Sequence, residues 1–328
     1  MIHFYTARKF LWGIERFIAG WSPGLAGVIQ PTAYDGVRVG EPLPPGAHVF
    51  ADLERLLRPE LAMVRRLHHR LAAQPDSYVT LNDPAAWRDR LGLLEELSRL
   101  GINDFRAYRL RDLDTELRFP AFLRWANEHS GNLGELVRSD AELRERVIER
   151  VSRRRRMFDR HLLVVEQSNA RSADGLVRKY SAIKIGDHLI PRHVLFSRRW
   201  MVKKPKIVTP ATAEEEREFV DTFPHEKQLR EIYAIAGLDY GRIDYGFSNG
   251  RLQVWEINTN PVIVPLPEQI APLRLPAQEQ SAAAIVAAFE DLASSAPTTP
   301  GRRPFGPVGR LMWAAQTRIN RRYEPHRK

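Results

Sequence analysis

Residues Gly241 to Pro261 read GRIDYGFSNGRLQVWEINTNP. Two short alternating runs flank Ser248-Asn249-Gly250, the composition of a β-hairpin. Alternation puts Arg242, Asp244 and Gly246 on one face of the first strand. On the second, Leu252, Val254, Glu256 and Asn258 share a face, opposite Gln253, Trp255 and Ile257. Register decides whether the acids meet. A two-residue Asn249-Gly250 turn sets Asp244 opposite Trp255, on the wrong face from Glu256. A three-residue loop, Ser248 to Gly250 with Gly250 left-handed, sets Asp244 opposite Val254 and diagonal to Glu256, about 7–8 Å away before the side chains reach. The three-residue loop is therefore expected. Two carboxylates and an amide oxygen then share a face, and an all-oxygen donor set suits Mg²⁺. An edge hairpin whose polar face meets water explains the alternation, but not Glu-Ile-Asn followed by Asn-Pro after an apolar strand.

Outward from the hairpin, the second half reads as β-rich. HLLVVEQ and LVRKYSAIKIGDHLIPRHVLF precede it, a single helix is expected from Ala211 to Ala236, and AQEQSAAAIVAAFEDLA reads as a closing helix. Upstream, LNDPAAWRDRLGLLEELSRLGI carries helix signals: Asp83 as cap, Pro84 at the first position and Gly101 as stop. Trp87, Leu91, Leu94 and Leu97 form its core stripe. Strand-like FRAYRL and FPAFLRW follow, then NEHSGNLGELV and a charged helix from about Ser139 to Asp159 whose SRRRR run reads as a solvated face. Residues 1 to about 80 mix short apolar runs with turn signals, as a small α/β domain does. His68 and His69 lie in its helix without partners at ligand spacing and are expected on the surface.

The 328 residues hold 43% hydrophobic and 27% charged side chains, ordinary globular values, so wholesale disorder is excluded. Zero cysteines exclude disulfide scaffolds, iron–sulfur clusters, cysteine zinc sites and thiol nucleophiles. No apolar run approaches the ~20 residues of a spanning helix. The start, MIHFYTARKFLWG, lacks the pattern of a secretory signal, so a cytoplasmic location is expected. The net charge of +10 is uneven: Gly301 to Lys328 holds eight basic residues and one acid, so about +7 sits in the tail and about +3 elsewhere. No G-x-x-x-x-G-K-[ST] loop, G-x-G-x-x-G fingerprint, H-E-x-x-H motif or G-x-S-x-G elbow occurs.

Asp244 followed by Glu256-Ile257-Asn258 and Asn260-Pro261 resembles the metal-binding end of the ATP-grasp superfamily, which includes glutathione synthetase, D-alanine–D-alanine ligase and the ribosomal-protein glutamate ligases. The likeness runs over about Leu81 to Pro261. It takes in LNDPAAWRDRLGLLEELSRLGI as the entering helix, FPAFLRWANEHSGNLGELV as the strand and phosphate loop, and LLVVEQ as the hinge strand. The fold it implies is α+β, two subdomains gripping ATP behind an N-terminal α/β domain: residues 1–80, 81–165, 166–293 with the metal site, and a proline-rich linker with a basic tail at 294–328.

The resemblance implies that Asp244, Glu256 and Asn258 bind Mg²⁺ ions bridging the ATP phosphates. It puts Glu166 and Gln167 at the adenine hinge and Asp174 toward the ribose. Arg178 or Lys179 would lie near the transferred phosphate, and Arg192 would hold an acidic substrate or its acyl phosphate. Arg90 and Arg124 stand where the family usually places phosphate lysines; arginine keeps the charge and adds a bidentate fork.

The implied activity is an ATP-dependent carboxylate–amine ligase acting on a small carboxylate or peptide and an amine. A kinase-like transfer to a hydroxyl uses the same ATP site. A reading from another class is a binding or scaffold protein working through its tail. GRLMWAAQTRINRRYEPHRK can form a helix with Leu311, Met312, Ala315 and Ile319 on one side and arginines beside them, suited to an anionic surface.

Overall fold

The computed structural model describes residues 1–113, 116–128, 131–151 and 162–323. The strands β1 (Ile2–Thr6), β2 (Ile29–Ala33), β3 (Gly46–Phe50) and β4 (Tyr78–Leu81) form a parallel sheet in the order β2-β1-β3-β4. Its connections include the helices α1 (Trp12–Trp21) and α2 (Arg58–Ala72). Every residue of β1 and β3 is buried, as expected of central parallel strands covered on both faces.

The helix α3 (Arg90–Arg99) leads into a second sheet of β5 (Ala107–Arg109), β6 (Ala121–Trp125) and β7 (Leu162–Glu166), antiparallel in the order β5-β7-β6, with α4 (Asp140–Val151) between β6 and β7 in sequence. A third sheet is antiparallel in the order β11-β10-β8-β9: β8 (Val177–Ile185), β9 (His188–Ser197), β10 (Tyr240–Ser248) and β11 (Arg251–Asn258). The helices α5 (Pro210–Thr222) and α6 (Glu226–Ala236) stand between β9 and β10 in sequence; α7 (Leu275–Ser294) and α8 (Pro307–Tyr323) follow β11.

The largest core joins the first and third sheets. Ile2, Phe4 and Val49 pack with Ile183, Ile185, Tyr240 and the α7 side chains Ile285 and Phe289. A second core lies between the third sheet and α3, α5 and α6, with Leu97, Phe219, Ile232, Tyr233, Ile243 and Val254. The mixed α+β class expected from the sequence holds.

Local expectations are corrected in four places. The entering helix starts at Arg90 rather than Pro84. Asp89 accepts the Gly92 N–H at 2.8 Å as its cap, while Asp83 closes a turn by accepting from Ala85 N at 2.8 Å. The expected single helix from 211 to 236 is two, because Pro224 disfavours helical geometry at Phe223, which turns left-handed at φ 39°. His68 is buried rather than exposed, its ring edge-on to Phe50 at 5.2 Å and its Nδ1 3.3 Å from Asp83 Oδ1. The hairpin loop is the fourth, and it shapes the site. Of the charged helix, the SRRRR run lies outside the described residues, as do His129 and Ser130 of the glycine-containing loop.

Candidate functional site

The β10–β11 turn holds two residues, not three: Ser248 pairs with Arg251, and Asn249 (φ 50°) and Gly250 (φ 74°) both take the left-handed geometry of a type I′ turn. That turn alone would oppose Asp244 to Trp255. A bulge intervenes. Tyr245 pairs with Val254 and Asp244 with Glu256, so Trp255 is the extra residue. The bulge also breaks the expected face of β11. Leu252 and Val254 join the helix-covered core, while Trp255, Glu256 and Asn258 line a cleft on the other side. The acids therefore meet as direct neighbours rather than diagonally.

Each acid is held by a pair of cations. Asp244 is 4% exposed; Lys179 Nζ donates to its Oδ2 at 2.8 Å, and Ser181 Oγ and Arg242 Nε donate to its Oδ1 at 3.0 and 3.2 Å. Ser181 is its register partner on β8, and Lys179 lies two residues along on the same face. Burial opposes ionisation of Asp244, but Arg242 and Lys179 outweigh it and hold the carboxyl below its usual range. Glu256 accepts from Arg90 and from Arg124, each at 2.7 Å. Asn258 faces Arg242 across the ladder, and its side-chain oxygen accepts the Asn260 N–H at 2.8 Å.

Arg124, Lys179, Arg242, Asp244, Glu256 and Asn258 line a cleft of about 240 Å³ between the second and third sheets. Its lining also holds the apolar side chains of Leu94, Phe105, Phe122, Val165, Trp200, Met201 and Val202. Phe122 and Trp200 touch at 4.9 Å between ring centroids. Glu166, Gln167 and Ser168 follow β7 along one edge. A cleft that combines apolar and aromatic side chains with a cluster of cations and carboxylates suits a flat base carrying a charged chain.

The structure brings together Lys179, Arg124, Asp244, Glu256, Asn258, Glu166 and Gln167 on this cleft. It does not bring the rest. Arg90 lies outside the cleft lining, 8% exposed, donating to the carbonyls of Trp125, Ala126 and Glu128 as well as to Glu256. Burial first, then Arg124, pushes its pKa down to about 10. Arg178 points to the other face of β8, where it pairs with Asp174 at 2.7 Å and Glu215 at 2.6 Å. Asp174 is thereby committed outside the cleft. Arg192 is sealed in the interior at 1% exposure, donating to Ile263 O at 2.5 Å and Gln278 Oε1 at 2.6 Å. Burial lowers its pKa to about 9.

Glu166 reaches the cleft edge, yet its carboxylate turns away. It accepts from Arg118 Nη2 at 2.8 Å and from the backbone N–H groups of Arg106 and Arg118 at 2.9 and 3.1 Å. Burial opposes its ionisation, and these donors overcome that and hold it below the usual carboxylate range. Gln167 N donates to Pro120 O at 2.9 Å. The edge is a braced strand end, presenting main chain more than side-chain acid.

Two cations of the cleft carry no site role in the sequence reading. Arg242 was placed on the Asp244 face without a role; it lines the cleft and also donates to Val262 O at 3.0 Å. Lys203, from the loop after β9, lies over Gly131 (φ 94°), where an added Cβ would overlap its Nζ. Lys203 stands 72 residues from Gly131 in the sequence, so only the fold brings it to the glycine-containing loop.

No protein-family model matches the sequence, and no curated protein matches it. Solved structures do. The chain is similar over 99% of its length, and 99% of the other's, to a D-alanine–D-alanine ligase from Bacillus anthracis, at 15% identity and a TM-score of 0.51. A D-alanine–D-alanine ligase from Coxiella burnetii matches over 98% of both chains at 12% identity and a TM-score of 0.50. Likeness at such identity is likeness of fold. The fold implied by the resemblance is the one found: the chain has an ATP-grasp fold.

Proposed function

We propose that the protein is an ATP-dependent carboxylate–amine ligase. One observation carries the reading: across a two-stranded ladder, Asp244 and Glu256 face each other inside a cleft lined by cations and by apolar side chains. Arg124, Lys179, Lys203 and Arg242 line that cleft. This is an excess of positive charge suited to a polyphosphate once Glu166 is matched by Arg118.

The donor set also fits Mg²⁺. Asp244, Glu256 and Asn258 offer oxygen alone, two carboxylates and an amide, as hard cations bound jointly with phosphates prefer. Among the described residues no cluster of three or more His, Cys, Asp or Glu offers an alternative site. Asp244, Glu256 and Asn258 would hold the ion, which would supply positive charge to offset that of the phosphates. Lys179 and Arg124 exchange carboxylate oxygens for phosphate oxygens as the nucleotide enters. The apolar side chains take the base, and the Glu166–Ser168 edge meets its polar rim.

In the reaction, a substrate carboxylate oxygen attacks the γ-phosphorus and ADP leaves. The amine then attacks the acyl carbon of the acyl phosphate, inorganic phosphate departs, and the amine loses a proton. Arg242 lies beside Asp244 at the open end of the ladder and is the group best placed to steady the transferred phosphoryl and the acyl oxygen. Water exclusion from the cleft would spare the acyl phosphate from hydrolysis.

The test is ADP release with Mg²⁺-ATP against pools of amino acids, dipeptides and small carboxylates, with Glu256→Ala beside the wild type. Release in one pool, absent in the variant, supports the ligase and names the acid class. Turnover retained by Glu256→Ala rejects the metal-ligand assignment.

A further inference from the structure

The helix α8 presents an apolar stripe to solvent. It is anchored by Trp313, 6% exposed, which packs with Val39, Leu43, Leu67, Leu71 and Tyr78 and lies 6.0 Å from the Phe305 ring. Successive residues turn by about 100°, so Val308, Leu311 and Ala315 lie on the side away from Trp313 and Met312 lies at its flank. The exposures agree: Val308 is 71%, Leu311 73% and Met312 50% exposed. A helix docked by one buried tryptophan ordinarily turns charge outward; this one also turns Val308, Leu311 and Met312 to solvent.

Arginines flank the stripe. Residues 301–323 hold six arginines and no acid. Arg302, Arg303, Arg310 and Arg318 are exposed, and α2, which packs beside α8, exposes Arg58, Arg66 and Arg70. The acid on α2, Glu60, is committed to its own helix start, accepting the Leu57 N–H at 2.8 Å. An apolar ridge within a basic field matches one partner chemistry: a lipid surface with acyl chains for the ridge and anionic headgroups for the guanidinium groups.

We infer that α8 is a peripheral docking element by which the protein sits on anionic phospholipid bilayers. A nucleic acid would use the arginines but leave the ridge in water, and a second copy would bring a like-charged face against this one. The inference stands apart from the nucleotide site, because Leu311 is not among the cleft residues.

The experiment is flotation of the full chain with phosphatidylcholine vesicles, pure or containing about 30 mol % phosphatidylglycerol, an anionic fraction sufficient to set a negative surface potential. Binding to the anionic vesicles, weak on the neutral ones and reduced by salt, is expected. Leu311→Asp is expected to lower it at least about tenfold, and Arg310→Glu about fivefold. Melting temperature and nucleotide binding stay at wild-type values, since both side chains face solvent. The inference is overturned by absence of binding, or by equal binding to neutral vesicles. It is also overturned by binding indifferent to Leu311→Asp, by tight RNA binding without vesicle binding, or by a dimer that Leu311→Asp dissociates without vesicle binding.

Discussion

Asp244 lies directly opposite Glu256 across the β10–β11 ladder because Trp255 is extruded as a bulge two residues from the cleft-lining Asn258's neighbour Ile257. The extruded ring packs toward the cleft with Ala170, Val177, Leu195 and Val202 nearby, so one irregularity both sets the acids in register and supplies apolar lining. Gly246 makes room for it: a Cβ there would lie 2.6 Å from Trp255 Cη2 and 2.9 Å from the Arg178 carbonyl oxygen.

Gly246→Ala is therefore expected to lower stability by roughly 1–3 kcal/mol, an overpacking cost, and to weaken nucleotide binding by displacing Trp255. Urea unfolding and a nucleotide titration check it. An unchanged midpoint would show that the ring moves aside freely.

The two interior and cleft arginines are expected to fail in different ways. Arg242→Ala leaves Lys179 on Asp244 and should fold normally, yet lose about 10²–10³-fold in turnover as a charge-stabilising donor disappears. Arg192→Ala removes the partner of Gln278 inside a buried network with Glu216 and Arg274, and should lower the melting temperature clearly. Thermal unfolding beside steady-state kinetics separates them; equal Tm losses would contradict the division.

Lys203→Ala is expected to weaken Mg²⁺-ATP binding about tenfold through loss of one charge-assisted contact, with little change in Tm. Calorimetric titration measures this. Unaltered affinity would remove Lys203 from the nucleotide site.

Stability is expected to depend on His48. Burial first, then the stacked His3 at 4.7 Å, lowers its pKa to about 3, while Tyr5 Oη and Pro44 O contact its two ring nitrogens. The unfolded chain binds the proton near pH 6.5 and the folded one does not. The contribution is therefore complete above about 6.5 and is lost as pH falls toward about 3. His48→Gln should melt lower at pH 7.5, yet show a shallower loss between pH 6.5 and 5 than wild type. Parallel melting curves over that interval would contradict the assignment.

Much of this architecture is legible in the sequence because it is local. Alternation locates β8 to β11, and Glu256-Ile257-Asn258 after an apolar strand marks the chemistry. The Pro224 break was readable too, since proline constrains the residue before it. What was hidden depends on distant partners. Arg192 looks like a substrate arginine until Ile263 and Gln278, 71 and 86 residues away, enclose it. Glu166 looks like a hinge acid until Arg118 claims its carboxylate. The choice between Arg178 and Lys179 follows strand parity, but only the pairing of Asp244 with Ser181 says which parity faces the cleft. The bulge at Trp255 has no sequence mark beyond the ring itself, so the right convergence was expected through the wrong loop.

Trp200 and Trp255 both line the cleft, which makes intrinsic fluorescence the most direct probe of its occupant. Titrating Mg²⁺-ATP into the wild-type chain should give a saturable change in tryptophan emission that is much weaker with Lys179→Ala and absent with Mg²⁺ alone. A flat titration in the wild type, with the protein folded, would contradict a nucleotide site between these sheets.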